Sequence, residues 1–141
     1  MKRAFIDTNI LLDAIITERP HHCMAKNLFM LAEQGAFEAV ASTQSIVDMC
    51  YIYLKGHNER KALIPAIVQT IDNAASILHT TRHDVVLAAS HFTDDYEDAV
   101  LAAVALRADC DVIVTRDKDF DAPFGLPIVS PDDFCREFIE V

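Results

Sequence analysis

Four aspartates stand where a surface acid has little reason to be. Asp7 closes the apolar run Arg3-Ala4-Phe5-Ile6 and opens Asp7-Thr8-Asn9, and Asp117 follows the run Val112-Ile113-Val114-Thr115 after one further residue. Asp48 interrupts the segment Ser45 to Ile52, which is otherwise nearly all apolar, and a carboxylate in such a segment needs a partner or a metal ion. Asp98 is the last acid before Ala99 to Leu106, a stretch with almost no polar face and therefore a deeply buried helix. Each also has a plain structural use. An Asp before a helix caps it, and Asp94-Asp95-Tyr96-Glu97-Asp98 is an acidic first turn of the kind the helix dipole favours. Gathered in one place, however, four carboxylates repel one another strongly, and a hard divalent cation with oxygen ligands resolves that repulsion.

The elements that must position them follow from periodicity and capping. Arg3 to Ile6 predicts a strand, and Ile10 to Ile16, with only Asp13 intervening, predicts a helix after a turn. A second helix over Cys23 to Ala32 stops at Gly35, Phe37 to Ala41 is a short strand, and Ser42 and Thr43 are N-caps for a helix from Ser45 to Leu54 closed by Gly56. Glu59 to Asp72 is helical by spacing, with Pro65 kinking it or lying near a helix start. Ala75 to Leu78 predicts a strand, Thr81 caps a helix through Ala89, and Asp94 to Arg107 is a long alanine-rich helix. Asp111 to Thr115 is a buried strand, Pro127 to Val129 a last short one, and Ser130-Pro131-Asp132-Asp133 starts a final helix to Ile139.

Strands of continuous apolar character separated by helices imply a parallel sheet covered on both faces by right-handed crossovers, a three-layer α/β/α, Rossmann-like architecture. Without internal repeats, low-complexity tracts or linkers, residues 1–141 read as one domain. Ligands of such sheets bind beyond the carboxyl ends of the strands. Asp7 and Asp117 fall directly at that edge, and Asp48 and Asp98 lie within the first turn or two of helices whose N-termini face it.

Composition narrows the function classes. At 141 residues, 52% of them hydrophobic, the chain can build one sizeable core, and no apolar run approaches the roughly 20 residues of a membrane span. The residues after Lys2 and Arg3 do not suit a signal-peptide core, so the expected location is the cytoplasm. The four cysteines are scattered without a CxxC pair, and His21 and His22 point to different helix faces, so neither type forms a zinc site. A formal net charge of −10 argues against broad attraction to nucleic acid, so any such activity must be local. Most of the 22 acidic residues are a solvated surface.

FIDTNILLD at 5–13, DYEDAVLAAVAL at 95–106, IVTRDKDF at 113–120 and LPIVSPDDF at 126–134 together, in order and spacing over nearly the whole chain, resemble the PIN-domain family. The resemblance implies a PIN-like fold and a Mg²⁺- or Mn²⁺-dependent ribonuclease, and among small bacterial members it is similar to the VapC-type toxins of toxin–antitoxin pairs. It makes Asp7 the first acid, Asp98 the third, and Asp117 the fourth with Asp119 its close competitor. Asn9 and Thr115 match polar support positions. The second acid of the family is usually Glu, and that place is held here by Asp48, one methylene shorter. The implied mechanism is metal-assisted hydrolysis of an RNA phosphodiester, the acids holding the ion or ions, with Arg116 and Lys118 as candidates for a substrate phosphate. An antitoxin protein and a homodimer are the implied partners. Cys50 to Leu54, which continue an apolar helix beyond what one sheet face can cover, are the expected self-association surface.

Other α/β chemistries fit less well. A haloacid-dehalogenase phosphatase needs a second Asp two residues after the nucleophile, where this chain has Asn9, and a receiver-like domain needs paired acids at the first strand and an isolated phosphoacceptor in mid-chain. A PIN fold that only binds RNA or a protein, without cutting, is the alternative that the shortened Asp48 keeps open.

Overall fold

The computed structural model describes residues 1–138. Five strands form one sheet: β1 (Arg3–Ile6), β2 (Glu38–Ser42), β3 (Ala75–Leu78), β4 (Val112–Val114) and β5 (Ile128–Val129), in the order β3-β2-β1-β4-β5. Every pairing is parallel, with Phe5 opposite both Val40 and Ile113. The chain builds outward from β1 through β2 to β3 and returns on the other side as β4, so the order reverses at β1. Crevices at such reversals are where open parallel sheets bind ligands.

Alternate residues of the three central strands serve two cores, which is why these strands are apolar throughout. Ala4, Ile6, Ala39, Ala41, Val112 and Val114 pack with side chains of α1 (Thr8–Ile15), α2 (His22–Glu33), α3 (Thr43–Leu54), α4 (Ile64–Ala74) and α7 (Pro131–Arg136). Phe5, Val40 and Ile113 pack on the opposite face with Leu101, Ala102, Val104 and Ala105 of α6 (Tyr96–Arg107). α5 (Arg82–His91) meets α6 through Ala88, Ala99 and Val100. The expected three-layer parallel architecture is therefore the one observed.

Local signals account for most boundaries. Ser42 caps α3 by accepting the Ser45 N–H, and Gly35 and Gly56 adopt positive φ just beyond α2 and α3, a conformation that a side chain disfavours. Thr81 and Asp84 form a reciprocal capping box at α5. Two expectations are corrected. The helix foreseen over Glu59 to Asp72 is split into a 3-10 segment, Asn58–Leu63, and α4, because Pro65 lacks an N–H and is accommodated in the first turn of a new helix. The helix foreseen from Asp94 starts at Tyr96, because the Asp95 side chain accepts the Asp98 N–H and makes Asp95 the cap. The last helix extends to Arg136, and its foreseen end at Ile139 lies outside the described residues.

α6 carries the candidate acid Asp98, and its far end is fixed by an ion pair. Arg107 Nε and Nη2 reach the Asp84 carboxylate at 3.1–3.2 Å, and Nη2 also donates to the His79 carbonyl. Asp84, 1% exposed, thus both closes the α5 cap and holds α6. Asp84→Ala is expected to lower stability by about 2–3 kcal/mol, through the lost cap and the unpaired Arg107, with an earlier urea midpoint at unchanged m-value as the reading.

Candidate active site

At the carboxyl edge of the sheet lies a cleft of about 450 Å³ lined by Asp7, Thr8, Asn9, Asp48, Asp95, Glu97, Asp98 and Asp117, with Tyr51, Ile52 and Leu101 supplying its apolar wall. Each acid is delivered by a different feature. Asp7 ends β1 and caps α1, its Oδ1 accepting the Thr8 N–H at 2.7 Å. Thr115, just past β4, donates its hydroxyl to Asp7 Oδ2 at 2.7 Å and accepts the Asp117 N–H at 3.1 Å, so one side chain ties two acids from neighbouring strands. Asp48 stands in the second turn of α3, and Glu97 and Asp98 in the first turn of α6.

Protonation equilibria show how crowded the charge is. Burial pushes the Asp7 carboxyl up; the Thr115 hydroxyl and Thr8 amide oppose this, and the Asp117 charge adds to it. Asp98 is raised to about 7, first by burial and then, against the opposing amide of Asp121, by the charges of Asp95, Asp7 and Asp117. Glu97 is raised as well, by partial removal from water and by the Asp48 carboxyl with which it shares a hydrogen bond. Such mutual elevation marks functional sites more often than structural ones.

Oxygen-only donors under mutual repulsion are the donor chemistry that a hard divalent cation takes. Among the described residues no three His, Cys, Asp or Glu side chains make a ready-made coordination group; the carboxylates ring the cleft instead of meeting at a point.

The structure brings Asp7, Asp48, Asp98 and Asp117 to this one cleft, with Asn9 on its wall and Thr115 beneath. It places three other candidates elsewhere. Asp119 is exposed, lends its N–H to Asp117 Oδ1, and lines a separate hollow with Thr93 and Asp121, so Asp117 alone of the two faces the cleft. Lys118 is exposed and does not line the cleft. Arg116 is engaged with Asp13 through Nε at 2.7 Å and Nη2 at 3.3 Å, because Asp13 is buried and demands a counter-charge.

Three contributors escape sequence reasoning. Glu97 is hidden in an acidic first turn that the helix dipole already explains, and Asp95 in the same turn is its cap. Asp121 sits in a loop without periodicity, yet its carboxylate accepts the amides of Thr93, Asp94 and Asp95 and the Thr93 hydroxyl. Burial opposes its charge, but these donors hold its carboxyl below the usual range. Its own N–H lies 3.3 Å from Asp98 Oδ2, so it fixes the approach to α6 from both sides.

Fold and cleft define a class: a Rossmann-like α/β domain with a carboxylate cluster at the reversal point of a parallel sheet. The family model described as PIN domain matches residues 3–119, and the chain belongs to the PIN-domain family. It is similar to ribonuclease VapC1 of Aquifex aeolicus (strain VF5), with 20% identity over 97% of this chain and 96% of that protein. Among solved structures it resembles Mycobacterium tuberculosis VapC20, described as a sarcin–ricin-loop-cleaving toxin (TM-score 0.66, 18% identity, 83% of this chain and 92% of that one). It also resembles VapBC2 of Rickettsia felis, solved bound to a DNA fragment from its promoter (TM-score 0.67, 16% identity, 91% of this chain and 98% of that one).

Asp98 gives a pH signature. Its folded pKa of about 7 exceeds the ordinary 3.8, so between these values the folded state holds the extra proton and stability falls as pH rises. In metal-free protein, Asp98→Asn should match the parent near pH 4 and exceed it at pH 8. The gain is of order 1 kcal/mol after allowing for screening of a half-buried group, about 2–4 °C in Tm by calorimetry.

Proposed function

We propose that the protein is a metal-dependent endoribonuclease that hydrolyses RNA phosphodiester bonds and acts as the toxin of a toxin–antitoxin pair. The observation that carries this reading is the cleft on which Asp7, Asp48, Glu97, Asp98 and Asp117 converge, with the carboxyls of Asp7, Glu97 and Asp98 all raised. Membership of the PIN-domain family and the similarity to proteins described as ribonuclease VapC1 and as an RNA-loop-cleaving toxin support it.

These five acids would hold Mg²⁺ or Mn²⁺. The ion, when bound, supplies Lewis acidity that activates water and offsets charge building on the phosphate. The chain's own part is to aim and charge the donors. Thr115 and the Thr8 amide hold Asp7 in one orientation, and Asp121 and Asp95 set the start of α6. Glu97, beside Asp48, offers the longer carboxylate whose reach Asp48 lacks, which favours an active enzyme over a binding-only module. Unpaired nucleotides can be splayed into the cleft, whereas bases of an A-form duplex are out of reach, so single-stranded or loop RNA is the expected substrate.

An antitoxin is the partner in this reading, and the cytoplasm, where cellular RNA is accessible, is the location; no described helix is long and apolar enough to cross a membrane. Self-association also belongs to it, on a narrower surface than Cys50 to Leu54. Tyr53 is buried and Cys50 and Leu54 are half-buried, so the exposed apolar face of α3 is Val47, Tyr51 and Ile52. Sedimentation at micromolar concentration should show a dimer that Val47→Asp converts to monomer; a monomeric parent removes this part of the reading.

Purified protein should cut single-stranded RNA with Mg²⁺ or Mn²⁺ and stop when a chelator is added. Asp7→Asn and Asp98→Asn should each lower the rate on the order of 100-fold or more and weaken Mn²⁺ binding by calorimetry. Cleavage by Asp98→Asn at the parent's rate would assign the activity to a contaminant.

A further inference from the structure

Among the described residues, charge pairing is one to one except at a single point. Among the described residues Lys2 pairs with Glu137, Arg3 with Glu38, Arg107 with Asp84, Arg136 with Asp133 and His57 with Glu59. Asp13 alone is shared by two cations. Arg19 Nε reaches its Oδ1 at 2.7 Å, and Arg116 reaches Oδ2 through Nε at 2.7 Å and Oδ1 through Nη2 at 3.3 Å. Two guanidiniums on one carboxylate leave a net positive charge, in a molecule whose formal charge is −10.

That positive charge is placed and exposed. Asp13 is 1% exposed, while each arginine side chain keeps 29% of its surface open to solvent. Both Nη groups of Arg19 and Nη1 of Arg116 make no hydrogen bond to protein among the described residues. Convergence on one oxygen holds the two planar forks side by side, the arrangement that binds phosphate oxygens in pairs. Arg116 directly precedes Asp117 of the cleft, and its charge is felt at Asp7. A polyanion approaching an acidic cleft needs a cation close enough to offset the acids, which repel it until neutralised.

We infer that Arg19 and Arg116, braced by Asp13, form a seat for a backbone phosphate of the RNA beside the bond that is cut. This rests on the ribonuclease reading above. Arg116 keeps its sequence-assigned partner, phosphate, but through a buried brace, and Arg19 joins it from the turn after α1.

The test measures binding of a fluorescent single-stranded RNA to protein silenced by Asp98→Asn, by anisotropy over a series of KCl concentrations. Adding Arg19→Gln removes the surplus charge and should weaken binding about tenfold, lowering the salt slope of log Kd by about 0.7. Adding Arg19→Lys should restore the slope but only part of the affinity, because an ammonium lacks the fork. Adding Asp13→Asn leaves both arginines without their counter-charge and should steepen the slope, while loss of the brace offsets the gain in affinity. Both Arg19→Gln and Asp13→Asn should lower Tm, so opposite movements in the salt slope report charge and not damage to the fold. Unchanged affinity and slope in Arg19→Gln, or a slope that does not steepen in a folded Asp13→Asn, overturns the seat while leaving RNA cleavage by the parent intact. If Asp13→Asn does not fold, the Gln and Lys variants at Arg19 decide. No affinity for RNA in the Asp98→Asn protein overturns the seat, while cleavage of RNA by the parent decides the nuclease reading separately.

Discussion

At the seam between β1 and β4 the Thr115 hydroxyl donates to the buried Asp7 carboxylate and receives the amide of Asp117, while the Asp7 amide donates to the Val114 carbonyl. Everything else in the cleft is arranged about this seam. It exists only because β1 and β4 are paired in parallel with Ile6 opposite Val114, which sets the residues just beyond each strand next to one another. A shift of one residue would turn Phe5 and Ile113 from one core to the other and carry Asp7 away from Thr115. The apolar packing on both faces of the sheet therefore fixes the register, and the register places the acids.

A cluster of like charges opposes folding, and the structure offsets this around the cleft more than within it. Asp7 retains two hydrogen-bond donors although it is nearly inaccessible. Asp121 gathers three successive amides and a hydroxyl, so the segment leading into α6 is held by a carboxylate that remains charged. At the other end of α6, Asp84 and Arg107 lock the helix to α5. The helix bearing Glu97 and Asp98 is thus clamped at both ends, while burial and neighbouring charge raise the carboxyls of its two acids. Stability comes from the cores and the clamps, and the acids of the cleft keep raised carboxyls in spite of the donors around them.

The relatives share 16–20% of residues with this chain and the solved ones keep its fold over most of their length. Identity that low with a common architecture means that the burial pattern carries the fold, and that most individual core side chains are exchangeable if volume and face are kept.

Much of this was legible in the chain because the governing signals are local. Continuous apolar runs mark strands buried on two faces, Ser42, Thr81 and Gly35 punctuate helices through their own backbone geometry, and an Asp that ends a strand must lie at the sheet edge. Those signals were enough to place Asp7, Asp48, Asp98 and Asp117 on one edge. Which neighbours each acid has was decided by tertiary structure alone. Glu97 reaches Asp48 across two helices, Asp119 turns away although it is two residues from Asp117, and Asp121 reaches back 28 residues to Thr93. Arg116, beside a cleft acid in sequence, is drawn to Asp13, a residue 103 positions earlier whose only sequence signal is an interruption in an apolar helix. Such contacts depend on long-range packing that brings charges into a low-dielectric setting, where pairing becomes obligatory, and no local spacing rule encodes which partner will be within reach.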